Sequence, residues 1–345
     1  MTDESDAPRS KRPHITRRGA LAGAGSLAIG VAGCLSAGSS GDDEDAENVA
    51  VASFFTFYDF ARKIANGTPV SVKNLVPTGL HGHGWEPDPS ITREIIDADA
   101  FLHVGPDFQP WADRAIQTVQ DDDADTRLIN VREGVELIDL AETLTEDEQV
   151  GDGKDPHFWL DPHRAKGAVD NIAAGLSEID TDGERAIAEN AEELKSDLDD
   201  VDDEWRSIFE QADRDVVFLA AHNAFEYVAQ RYDATIQPLV TNLAADGDVR
   251  PADMRRAQDT IEANEIRHIG AAVFESRRPA RQLREETAVD AYYPVTPYAG
   301  ITEAWDEQGW GYFDIARKIN MNTFKIVLGA GEPDSGFDEE WRNFE

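Results

Sequence analysis

From Asn48 onward, short runs of β-branched, aromatic and small apolar residues alternate with longer stretches of helical periodicity. That alternation is what most restricts the fold. Runs at 49–55, 70–76, 100–104, 128–131, 216–221, 235–240, 268–274 and 292–295 read as strands. Stretches at 58–66, 89–97, 224–231, 251–264, 279–287 and 312–328 read as helices between them. A strand–helix–strand rhythm predicts parallel sheets flanked by helices. Midway, residues 183–211 run without an internal Gly or Pro. Ala191, Leu194, Leu198, Val201, Trp205 and Ile208 lie there at three- and four-residue spacing, with acid on the other faces. A helix of that length spans about 43 Å. The expected fold is α/β, with two lobes, each a mainly parallel sheet flanked by helices, joined by one long backbone helix. The lobes are expected at 48–182 and 212–333, the linking helix at 183–211, and a C-terminal tail at 334–345.

The segment before the first strand reads as export and anchoring. Met1 to Arg18 hold five basic and three acidic side chains, and Thr16-Arg17-Arg18 opens a weakly apolar stretch through Gly33. It is too short and glycine-rich to span a bilayer, and it has the layout of an export signal. The paired arginines suit twin-arginine export. Val31-Ala32-Gly33-Cys34 resembles a lipobox, which makes Cys34 the lipid-bearing residue, residues 1–33 the signal and 34–47 an acidic tether. Cys34 is the one cysteine, so an internal disulfide framework and a cysteine-based zinc site are both excluded.

Charge narrows the partners. The 345 residues carry 69 Asp plus Glu against 32 Lys plus Arg, a net charge of −37. Such a chain repels phosphate backbones, which argues against nucleic acid. Lys is scarce, 8 against 24 Arg, and acid is spread throughout, a composition like that of extreme halophiles, where salt screens self-repulsion.

Eight histidines remain to be placed. His14 falls in the signal, His103 inside a strand and His268 at the head of one. His163 follows Asp-Pro and reads as a helix start. His81, His83, His157 and His222 fall in loops beside strand ends, where ligands of open α/β sheets gather. Imidazole suits zinc and other late divalent ions.

The flanking residues then carry a resemblance. His83-Gly-Trp-Glu-Pro-Asp-Pro-Ser90, Asp155-Pro-His-Phe-Trp-Leu-Asp-Pro162 and Ala221-His-Asn-Ala-Phe-Glu-Tyr227 resemble, in order and spacing, the ligand loops of the zinc/manganese-binding (cluster 9) solute receptors of ABC transporters. The likeness runs from about Asn48 to Gly329, takes in Phe274-Glu275 and Gly311 to Asn322, and suggests a haloarchaeal-like lipoprotein. It implies that His83, His157 and His222 are metal ligands in a cleft between the lobes. The family's late carboxylate is missing. Thr296 stands in its place, so Glu303 or water is expected to complete the site. Asp161 or Glu86 is expected to orient the rings. A long His-rich loop is also missing, and an acidic stretch from Glu146 to Lys154 takes its position.

The resemblance implies an extracytoplasmic receptor that captures zinc, or alternatively manganese, and delivers it to an ABC permease. It would work as a monomer, anchored to the outer face of the cytoplasmic membrane through Cys34. Three histidines with an open position also describe a zinc hydrolase, but no general base sits beside them as in His-Glu-x-x-His, and an enzyme is not expected. A surface lipoprotein that kept the fold without metal is the third reading. Imidazoles on one tetrahedral ion should converge to within roughly 5 Å.

Overall fold

A computed structural model describes residues 47–80, 85–139, 153–241 and 249–345. The export segment, Cys34, the tether, His81, His83 and most of the acidic stretch before Lys154 lie outside these residues.

The N-terminal lobe contains strands β1 (Asn48–Ala52), β2 (Val70–Asn74), β3 (Ala100–His103) and β4 (Arg127–Asn130), in the order β2-β1-β3-β4. The C-terminal lobe repeats this pattern with β5 (Val216–Ala220), β6 (Thr235–Pro238), β7 (His268–Ala272) and β8 (Ala291–Val295), in the order β6-β5-β7-β8. Every pairing is parallel. The central strands are mostly buried and built largely from Ala, Val, Ile, Leu and Phe, as sheets covered on both faces require.

Helices α1 (Phe55–Ile64), α2 (Ser90–Asp97), α3 (Pro110–Asp121) and α4 (Pro162–Ile179) belong to the first lobe. Helix α5 (Glu184–Glu210) has 27 residues, and its buried face is formed by Ile187, Ala191, Leu194, Leu198, Val201, Asp202, Trp205 and Ile208. It packs on α1 and α4 and, across the lobes, on α11 (Met321–Leu328). The second lobe also carries α6 (Glu226–Arg231), α7 (Pro251–Ala263), α8 (Arg278–Glu286), α9 (Glu303–Glu307) and α10 (Tyr312–Ile315). The single helix expected over 312–328 is broken by a π turn at Ala316–Asn320. The segment expected as a tail instead forms α12 (Phe337–Trp341). It docks through buried Phe337 and through the Asn343 amide, which donates to the Tyr292 carbonyl at 2.9 Å. Among the described residues no helix is long and apolar enough to cross a membrane.

One continuous core runs through both lobes. At its centre Trp159 is fully buried, with its ring 4.7 Å from Phe54, 5.8 Å from Phe57 and 5.6 Å from Phe108. The segment after β8 crosses to the other lobe through backbone carbonyls. Pro297 accepts from the Trp159 indole at 2.7 Å, Tyr298 from the Thr56 hydroxyl at 2.8 Å, and Ile301 from the Gly79 amide at 2.7 Å. Buried polar groups placed this way are fully satisfied and hold the lobes in one arrangement.

Candidate metal centre

His157 stands at the head of a 3-10 turn, Phe158–Leu160, that leads into α4. Local chemistry stops the chain there. Asp161 caps α4 by accepting from the amides of His163 and Arg164, and Pro162 takes the first helical position, where no amide is needed. The imidazole is 1% exposed. Its Nδ1 lies 2.8 Å from Asp155 Oδ1, and the same oxygen accepts the His157 amide at 2.9 Å.

His222 lies two residues past the end of β5 and is equally buried. Its Nδ1 lies 2.6 Å from Glu275 Oε1, a residue just beyond β7. The two histidines come from different lobes, yet their ring centroids are 5.5 Å apart with the planes tilted by 47°. That separation is close to the roughly 5 Å needed for two imidazoles on one tetrahedral ion.

The electrostatics favour a neutral His157 ring. Burial lowers the pKa of His157, the Asp155 carboxylate acts in the opposite direction, and the proximity of His222 adds to the lowering. A carboxylate at Nδ1 selects the tautomer that carries its proton there. The Nε2 lone pair is then the donor each ring offers a metal, an arrangement typical of imidazole ligands.

The expected orienting residues do other work. Asp161 pairs with Arg164 at 2.5 Å and with Arg231 at 3.2 Å. Glu86 is exposed and pairs with Arg114 at 2.6 Å. Among the described residues, Asp155 and Glu275 are the carboxylates that reach the rings. Asp155 lies inside the quoted Asp-Pro-His motif, where its spacing of two from His157 was a usable signal. Glu275 becomes a partner of His222 only through strand order, because β7 lies beside β5.

Glu303 is exposed in the first turn of α9 and makes no contact with either ring. Thr296 is fully buried, its hydroxyl accepting from the Tyr298 amide at 3.2 Å and its backbone clasped by the Asn320 side chain. His103 is buried beside Phe101, and His268 packs edge-on against Tyr293. His163 takes part in the N-terminal cap of α4 through its backbone amide. Among the described residues no group of three or more His, Cys, Asp or Glu converges as a metal site. His83 lies outside these residues.

The family described as zinc-uptake complex component A, periplasmic, matches residues 50–326. The high-affinity zinc uptake system protein ZnuA of Bacillus subtilis is 25% identical over 307 residues, covering 88% of this chain and 94% of that protein. The manganese-binding lipoprotein MntA of Halalkalibacterium halodurans is 29% identical over 306 residues, covering 86% and 94% respectively. Among solved structures, the metal-dependent lipoprotein YcdH from Bacillus subtilis superposes with a TM-score of 0.69 at 24% identity. It covers 82% of this chain and 99% of that one, a likeness of fold.

Proposed function

This chain belongs to the zinc-uptake complex component A family, and on that premise we propose that it is an extracytoplasmic solute-binding protein that captures a divalent transition metal and delivers it to an ABC permease. The observation that carries this reading is the meeting of His157 and His222 from opposite lobes, each with a carboxylate on Nδ1. His83, which falls between β2 and α2 in the sequence, supplies the third imidazole in this proposal, and water takes the remaining position in preference to exposed Glu303. Zinc is favoured over manganese because the donors are nitrogen. Thr296, in the place of the family's late carboxylate, has its hydroxyl engaged inside the core. Manganese prefers more oxygen.

Release of the ion in this reading proceeds by small tilts and loop movement, because the lobes share α5 and the backbone bonds of Pro297, Tyr298 and Ile301. A lipid on Cys34 tethers the protein, as a monomer, to the outer face of the cytoplasmic membrane. The protein is not proposed as an enzyme, since Asp155 and Glu275 are both committed to ring nitrogens and neither stands ready as a general base. Calorimetric titration of the purified chain with Zn2+ and Mn2+ tests the proposal. One-to-one binding, tighter for Zn2+ and reduced at least a hundredfold in His157→Ala, is expected. No binding of either ion would sink it.

A further inference from the structure

Tyr227 lies five residues after His222, in α6, and is completely buried. Its hydroxyl reaches into the other lobe. It donates to the Asp155 carbonyl at 2.7 Å and accepts from the Ile138 amide at 3.1 Å. The Asp155 amide in turn donates to the Ile138 carbonyl at 3.0 Å. One phenol therefore closes a three-residue ring of hydrogen bonds at the neck where residues 139 and 154 pair as an isolated bridge. The Arg164 guanidinium covers the ring at 5.2 Å from its centroid. Burial raises the phenol's pKa, which keeps the donated proton in place.

Two further hydrogen bonds to the His157 segment also involve the second lobe. The Trp159 indole donates to Pro297, and the Tyr312 hydroxyl donates to the Trp159 carbonyl at 2.9 Å. His157 belongs to the first lobe by sequence, but its loop is fastened on both sides by the second. Asp155 is the residue that sets the imidazole, and Tyr227 is what sets Asp155 from the helix that His222 leads into. A metal held by both histidines needs their nitrogens placed to within about 0.5 Å, which loops seldom achieve without support.

We propose that Tyr227 is a positioning residue for metal capture, which holds the loop of His157 in register with that of His222 through the Asp155 carbonyl and the Ile138 amide. This rests on the receptor reading above. The alternative, a core tyrosine that merely satisfies its hydroxyl, predicts lost stability without a change at the metal.

The test uses the full chain, with Co2+ as a spectroscopic probe and chelator competition for affinity. Tyr227→Phe keeps the ring and removes the hydroxyl. It is expected to weaken Co2+ binding at least tenfold and to shift the visible bands. Tyr232→Phe is the control, since its hydroxyl donates at 2.8 Å to Asp202 of α5, a residue outside both histidine loops. It is expected to lower the melting temperature and leave the affinity and bands unchanged. Tyr227→Phe within twofold of wild type with the same spectrum overturns the proposal, as does an equal loss of affinity in both variants. Should Tyr227→Phe fail to fold, amide exchange at Ile138 in the wild type decides. Slowing by about tenfold on Zn2+ loading supports the tie, and an unchanged rate overturns it. Wild type that binds neither Co2+ nor Zn2+ removes the receptor reading and this one together, whereas wild type that binds beside an unaltered Tyr227→Phe removes this one alone.

Discussion

Oδ1 of Asp155 accepts the amide of His157 and also lies against its Nδ1, so one carboxylate oxygen fixes both the backbone and the ring of the same residue. The side chain is 2% exposed, and the pair is shielded from competing water. A carboxylate in this position fixes the tautomer and raises the basicity of Nε2.

Asp155→Ala should therefore weaken Zn2+ binding by about 10- to 100-fold, the range usual for loss of a ligand's supporting carboxylate. Asp155→Asn, which keeps an acceptor oxygen, should fall between wild type and Ala. Chelator competition at neutral pH measures both. An Ala variant as tight as wild type would leave Asp155 without the role assigned to it.

Acid sensitivity of the metal-free protein should trace in part to His103. Burial first, and Arg132 second, hold its pKa down to about 4 from an ordinary value of 6.5. Between those values the unfolded chain carries a proton that the folded chain refuses, so stability is lost as pH falls through the window. The loss is on the order of 3 kcal/mol. His157 and His268 are shifted in the same direction and add to it. His103→Leu should flatten the dependence of the urea midpoint between pH 7 and 4, and a curve parallel to wild type would refute the assignment.

Most of the strands were legible because runs such as Val216 to Ala220 are continuous and apolar, and parallel sheets bury both faces. The linking helix was legible because its apolar residues keep one stripe over 27 residues. Helix α3 is not among the helices that the sequence rhythm predicts, although Pro110 at its first position and buried Trp111, Ala112, Ala115 and Val119 mark it. The C-terminal segment at 334–345 is expected as a tail. Phe337, Trp341 and Phe344 nevertheless recur at helical spacing; Phe344 packs on Tyr292, Phe337 on Tyr293 and Trp341 on Trp305. At the site, a motif signals a histidine because its neighbours are local in sequence. The Glu275 contact with His222 depends on β5 and β7 lying side by side, and spacing along the chain does not encode that.

Gly300 gives a third prediction. A Cβ placed there would meet the Leu80 carbonyl oxygen at 2.2 Å, a backbone atom that cannot step aside without its chain. The Gly79 amide bonds to Ile301 beside it, so this contact fastens the segment that leads to His81 and His83. Gly300→Ala should destabilise the fold by about 1–3 kcal/mol through overpacking. It should destabilise the Zn2+-loaded protein by more than the metal-free one, as loss of affinity requires. Denaturant midpoints with and without Zn2+ measure both, and equal losses would separate this contact from metal binding.

Asp202 makes the strongest claim on stability away from the histidines. It lies at 8% exposure on the inner face of α5. Its two oxygens take both Nε and Nη2 of Arg231 at 2.6 Å, together with the Tyr232 hydroxyl at 2.8 Å and Arg206 at 2.9 Å. Arg231 also reaches Asp161, the cap of α4, at 3.2 Å. The network thus joins the linking helix to the helices that follow both histidine motifs. Burial opposes ionisation of Asp202, but the bonds from Arg231 and Tyr232 prevail and hold its pKa below the ordinary carboxylate value, while that of Arg231 is raised. Removing one partner leaves the other charge inside without compensation, which costs about 3–5 kcal/mol for buried pairs. Asp202→Ala should lose that much in chemical denaturation. Asp202→Asn, with acceptor capacity but no charge, should lose less. Because the folded pKa is depressed, the contribution is present above the unfolded carboxylate value and fades as pH falls through the folded one. The deficit of Asp202→Ala relative to wild type should therefore narrow in acid. A deficit below about 1 kcal/mol at pH 7, the range of exposed pairs, would show that the network is held by its surroundings and contributes little itself.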